Sequence, residues 1–84
     1  MNNMSTLKQW KFDKTKLVTT REVLNLTQRE VAERMGITKQ MYQQWEAGTR
    51  TPNLNSLTKI CDVLSVKPHI FFKENVTQSE TQGV

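Results

Sequence analysis

The side chains best placed for chemistry in this chain are Lys39, Gln40, Gln43 and Gln44, and they are suited to hydrogen bonding rather than to bond making. The apolar residues around them, Val31, Met35, Ile37, Tyr42 and Trp45, stand where they would build a shared core. The four polar residues then face away from it. An outward helix face of one lysine and three glutamines, in place of Glu/Lys pairs, can read the edges of bases. The same composition also suits a plain solvated surface. Catalysis finds no support. The chain has one cysteine, Cys61, and one histidine, His69. It has no nucleophile and base pair, no paired carboxylates, no phosphate-binding glycine loop and no metal-ligand set. The expectation is therefore a protein that is not an enzyme and needs no cofactor.

Elements that position these residues can be read from their caps. Asp13 is suited to cap a helix from about Lys14 to Leu24, with Leu17, Arg21 and Leu24 on one face. Thr27 and Glu30 have the spacing of a capping box, so a second helix starts there and runs to Gly36. Ala32 is small enough for a following helix to pack closely, and Gly36 suits the sharp turn between them. Thr38 caps the third helix, Lys39 to about Ala47, which ends at Gly48. After the loop Gly48 to Pro52, Asn53 caps a fourth helix whose Leu54, Leu57, Ile60, Cys61 and Leu64 repeat at three and four. Pro68 suits the first turn of a short fifth helix holding His69, Ile70 and Phe71. No strand pattern or internal repeat is visible.

Charge is uneven along the 84 residues. All 12 basic side chains lie in residues 1–73 with six acids, whereas residues 74–84 hold only Glu74 and Glu80. A basic body suits a polyanionic partner, because neutralised phosphates release counterions. The length allows one domain with a small core. We expect an N-terminal arm at 1–12, a folded domain at 13–73 and a flexible polar tail at 74–84. Lys8, Lys11, Lys14 and Lys16 could form a DNA-embracing arm or a solvated run. The lone cysteine excludes an intramolecular disulfide. Without an apolar run of membrane-spanning length or a signal-peptide stretch, a cytoplasmic protein with no membrane partner is expected.

The segments LTQREVAERMGITKQMYQQWEAGTRTPNLNSL and KICDVLSVKPHIFF resemble the Cro/repressor, or Xre-type, helix-turn-helix family. The Leu-Thr-Gln start, the Ala-x-x-x-Gly turn, Trp-Glu-x-Gly after the third helix and the proline before the fourth fall in the family's order. The resemblance covers roughly residues 13–72. It implies an all-α, compact five-helix bundle of the lambda-repressor-like type, with helices two and three as the DNA-reading pair. It further implies a sequence-specific regulator, a repressor or autoregulator, binding an inverted-repeat operator in double-stranded DNA as a homodimer.

By the same resemblance, Lys39, Gln40 and Gln44 match base-contacting positions, with Gln43 second in rank; glutamine pairs with adenine and lysine with guanine. Gln28 opens helix two, where it can hold a phosphate or brace the first residues of helix three. Thr38, Thr49, Arg50 and Thr51 match the caps and loop that grip the DNA backbone. Arg21 and Glu46 match an ion pair that locks helix one to the end of helix three. Tyr42 departs from the aliphatic residue usual there, and its hydroxyl needs a partner or a path to solvent. Asn25 replaces a common glycine, and Asn accepts the left-handed region. Phe72 is a candidate dimer contact. An alternative reading is an antitoxin or adaptor that acts through a protein partner bound by the arm or tail.

Overall fold

The computed structural model describes residues 8–76. In chain order these form strand β1 (Lys8–Phe12), helices α1 (Lys14–Val23), α2 (Gln28–Met35), α3 (Lys39–Ala47) and α4 (Leu54–Leu64), a 3-10 turn (Pro68–Phe71) and strand β2 (Phe72–Val76).

Each helix starts where a short polar side chain can satisfy an orphan amide. Asp13, Thr38 and Asn53 accept from the backbone N–H of Lys16, Met41 and Ser56 at 3.2, 3.1 and 2.8 Å. At α2 the capping box is complete: Thr27 accepts from the Glu30 N–H at 3.0 Å, and Glu30 accepts from the Thr27 N–H at 2.8 Å. These bonds, led by that from the Thr27 backbone, hold the Glu30 carboxyl below its usual range. Caps of this kind each stabilise by about 1 kcal/mol. The α2–α3 turn passes through Gly36 at φ 74°, where a Cβ would be strained. Asn25 takes φ 59° between α1 and α2, as its side chain permits.

One apolar core joins the elements. Leu17 of α1, Val31, Ala32 and Met35 of α2, Tyr42 and Trp45 of α3, Leu57, Ile60, Cys61 and Leu64 of α4, and Phe71 are all buried. Ala32 is 1% exposed, which is the close approach its small size allows. Of the three residues expected on one face of α1, Leu17 is buried, whereas Leu24 caps the end of the helix and is exposed. Burial raises the Cys61 thiol above its ordinary range, helped by nearby Asp62, so this cysteine is an apolar core residue and a poor nucleophile.

Two expectations need correction. Among the described residues there are four α-helices, not five: Pro68–Phe71 forms a single 3-10 turn that seats Phe71 in the core. The chain also has strands where none was expected. β1 and β2 pair antiparallel, with Phe12 opposite Phe72 and Lys11 opposite Lys73. Phe12 and Phe72 are half-buried against the core, and Phe12 packs on Phe71 at a ring separation of 6.1 Å. The Asp13 N–H donates to the Phe71 carbonyl, tying the start of α1 to the 3-10 turn. The folded unit therefore takes in residues 8–12 and 74–76, which the expected boundaries at 13 and 73 assigned to an arm and a tail. The physical reason is mutual: each strand supplies the other's backbone partners, and the phenylalanine pair fixes the ribbon to the helices. Residues 1–7 of the expected arm and 77–84 of the expected tail lie outside the described residues.

Candidate nucleic-acid interface

Helix α3 carries the residues singled out for recognition. Its inward face is anchored by Tyr42 and Trp45, which meet edge to face with centroids 6.0 Å apart. Lys39, Gln40, Gln43 and Gln44 are all exposed. Among the described residues, no hydrogen bond engages their side chains. Gln40, Gln43 and Gln44, together with Gln28, Glu46 and Thr49, line an open groove beside α3. A row of amides with unspent donors and acceptors is thus presented along one concave face.

The helix is held in place by its last turn. Glu46 accepts four hydrogen bonds from three elements. Its Oε2 receives Arg21 Nε and the Tyr42 hydroxyl, both at 2.6 Å. Its Oε1 receives Arg21 Nη2 at 3.1 Å and Gln28 Nε2 at 2.8 Å. The Arg21 and Glu46 side chains are only 12% and 5% exposed, so the pair is shielded from competing water. Arg21 Nη1 also donates to the Leu26 carbonyl at 2.8 Å, which fixes the chain between α1 and α2. Burial alone would raise the Glu46 carboxyl. The bonds from Arg21, Tyr42 and Gln28 outweigh it and hold the group below its usual range. Conversely, the bond to Glu46 raises Arg21. Tyr42 is raised well above its ordinary value, first by burial and then by its bond to Glu46, so it stays a neutral donor.

This arrangement refines the sequence reading. Gln28 braces the last turn of α3 through Glu46, not its first residues. The partner of the Tyr42 hydroxyl is also Glu46, a link missed from the sequence although the two residues stand four apart on one helix face, a spacing that brings side chains together. A further missed contact lies at the C-terminus of α3, where Lys14 Nζ donates to the Ala47 carbonyl at 3.2 Å. A cation at that end satisfies an open carbonyl and the helix dipole.

Of the expected backbone-gripping residues, Gln28 and Thr49 line the groove, whereas Arg50 and Thr51 line the adjoining clefts. Thr38 is exposed and spends one acceptor site on its cap, keeping its hydroxyl proton free. Thr49, Arg50 and Thr51 are exposed in the loop after α3, with the Thr49 hydroxyl 3.4 Å from the Gln44 carbonyl. Gln28, half-buried, opens α2, whose first amides have no partner within the helix. Phe72, the candidate dimer contact, is half-buried against its own core and opposite Phe12. Among the described residues no group of His, Cys, Asp and Glu is disposed to hold a metal, and no helix is long and apolar enough to cross a membrane.

Two short helices joined by a left-handed glycine turn, with the second presenting an uncommitted polar face, define a helix-turn-helix module. Residues 19–71 match the helix-turn-helix family model, and the chain belongs to that family, whose Xre type the sequence resembles. It is 34% identical over 53 residues to the cryptic phage CTXphi transcriptional repressor RstR of Vibrio cholerae, covering 63% of this chain and 47% of that protein. It is also 34% identical over 68 residues to the uncharacterized HTH-type transcriptional regulator YqaE of Bacillus subtilis, covering 76% and 59%. The chain thus spans about half the length of the curated relatives it matches. Among solved structures, the restriction-modification controller protein C.AhdI from Aeromonas hydrophila superposes with a TM-score of 0.67 at 24% identity, over 70% of this chain and 89% of that one. An HTH_3 family transcriptional regulator from Vibrio cholerae gives 0.64 at 28% identity, over 69% and 33%.

Proposed function

We propose that this chain is a DNA-binding transcriptional regulator that reads a double-stranded operator with α3 in the major groove. The observation that carries the reading is the outward face of α3: Lys39, Gln40, Gln43 and Gln44 are exposed and uncommitted on a helix anchored from behind by the Glu46 bonds. A rigid helix with free side chains is what base reading requires, because disorder in the reading group would cost affinity when DNA orders it. In this assignment Gln40 and Gln44 pair with adenine edges and Lys39 with guanine, and Gln43 makes a supporting contact. Gln28, Thr38, Thr49, Arg50 and Thr51 hold phosphates on either side. Gln28 retains a second N–H beyond the one given to Glu46, and the first amides of α2, which have no partner within the helix, suit a phosphate beside it.

Two copies bind together on an inverted repeat, so that each α3 reads one half-site, and occupancy of a promoter represses transcription. The regulatory part of this reading is supported by the relatives, one a transcriptional repressor and the other a transcriptional regulator by name. The decisive experiment is selection from a random double-stranded DNA pool at moderate salt, followed by sequencing of the bound fraction. The expected result is an inverted repeat with half-site centres about 10 base pairs apart. Binding that shows no enriched sequence and vanishes smoothly as salt rises would overturn the reading in favour of charge-driven contact, and a protein partner would then be sought.

A further inference from the structure

The ribbon creates a second basic surface. β1 and β2 place Lys11 directly opposite Lys73, so both side chains leave the same face of the ribbon. Like charges directly opposite on paired strands are destabilising. Among the described residues neither lysine forms an ion pair. Lys11 and Lys73 line a cleft with Lys14 and Arg50, and no acid is among the described residues that line it. Among the described residues, the ion pairs are those of Arg21 with Glu22 and Glu46, away from this cleft. Four cations from β1, α1, the loop after α3 and β2 therefore line one concave site, and their mutual repulsion favours an anion there.

The cleft continues the α3 groove. On α1, Val18 lines the groove and Thr15, one turn earlier, lines the cleft. On the loop after α3, Thr49 lines the groove while Gly48, Arg50 and Thr51 line the cleft. A duplex lying in the groove would run past the ribbon. We propose that the Lys11/Lys73 ribbon is a second phosphate-binding site, which holds the DNA backbone flanking the base pairs read by α3. This rests on α3 being the DNA-reading helix. The occupant is a run of backbone phosphates, because the anion must be extended enough to meet cations on four elements and must arrive with the ligand of the adjoining groove. The site contributes affinity and register but no base preference.

The test uses the full chain, a duplex that extends two helical turns beyond each selected half-site, and a scrambled duplex of equal length. The variants are Lys11→Gln with Lys73→Gln, and Lys59→Gln on the exposed side of α4 as a control outside the cleft. The double variant should bind both duplexes roughly tenfold weaker or more, with a plot of log affinity against log salt shallower by about 2, or 0.9 per phosphate lost. Its ratio of affinities for the two duplexes should equal that of the unaltered protein. Lys11→Glu gives an independent readout: it places opposite charges across the ribbon, so the melting temperature should rise while DNA affinity falls. A structural role for the lysines would move both in the same direction. A salt slope in the double variant equal to that of Lys59→Gln would overturn the proposal, as would weakening confined to the selected duplex. So would loss of saturable competition by inorganic phosphate without change in DNA binding, which marks a small-anion site. Failure of the α3 assignment is seen separately, as equal affinity of the unaltered protein for the two duplexes.

Discussion

Replacing Glu46 with glutamine tests what holds α3 in place. Glutamine keeps the shape but substitutes an NH2 group for one oxygen of a carboxylate that accepts four hydrogen bonds. If the new amide nitrogen takes the Oε2 position, the Tyr42 hydroxyl can turn to accept, but Arg21 Nε is left facing a donor. If it takes the Oε1 position, Gln28 can flip to present its carbonyl, but Arg21 Nη2 is left facing a donor. Either way one charged donor loses its partner and the guanidinium loses its counter-charge, in a pair only 12% and 5% exposed. A hydrogen bond to a charged group contributes about 1.5–3 kcal/mol, and removal of one member of a buried ion pair costs about 3–5 kcal/mol. Arg21 keeps the Leu26 carbonyl and lies 4.0 Å from Glu22, which softens the loss, so Glu46→Gln should cost about 3 kcal/mol. For a domain of this size that lowers the melting temperature by roughly 12–24 °C.

Urea denaturation at several pH values supplies the assay. The Glu46 carboxyl is held below its usual range in the folded protein by Arg21, Tyr42 and Gln28 against the cost of burial. In the unfolded chain it titrates near 4.3, approximately the model-peptide value. A depressed carboxylate stabilises fully above its unfolded pKa, and that contribution is lost as pH falls through the folded pKa. The gap between the unaltered protein and Glu46→Gln should therefore be full at neutral pH and close as pH drops below about 4. Glu30 is also depressed, but it is common to both proteins and cancels in the difference. A gap under about 1 kcal/mol at pH 7 would refute the reasoning, as would a gap that does not change with pH.

The other expectations concern the interface and its turn. Gln40→Ala and Gln44→Ala should each weaken operator binding by about 1–3 kcal/mol and relax preference at one base pair; competition assays against singly substituted duplexes would show this, and unchanged preference in both would mean that α3 is docked differently. Arg50→Ala should weaken all sequences alike and reduce the salt slope by about 1, read from titrations at graded salt. Gly48→Ala should cost about 1–2 kcal/mol in a thermal melt, because φ is 85° and the added Cβ would sit 2.8 Å from Lys14 Nζ, displacing the contact to the Ala47 carbonyl. Gly36→Ala, with nothing within 4 Å of its Cβ, should lose less.

The two parts of the molecule differ in how far local sequence determines them. Helix starts at Lys14, Gln28, Lys39 and Leu54 were legible because a cap acts within three residues: the side chain that ends one element and the amide it satisfies are neighbours in sequence. The ribbon was not, because β1 and β2 pair from opposite ends of the folded chain. KQWKF and FKENV each carry too short an alternation and too few β-branched residues to announce a strand alone. The site divides in the same way. The exposed face of α3 follows from helical period, and the Arg21–Glu46 pair was expected from family resemblance. That one carboxylate also takes up Tyr42 and Gln28 follows from the packing of α1, α2 and the last turn of α3 around it. This convergence has a consequence for recognition. The groove-lining Gln28 and helix α3 share Glu46, so a change that frees this carboxylate should move the start of α2, which the proposed function sets against phosphates, together with the face of α3 that it sets against bases. Loss of the hub should therefore weaken specific binding more than it weakens nonspecific binding, even though the proposed function assigns Glu46 no base.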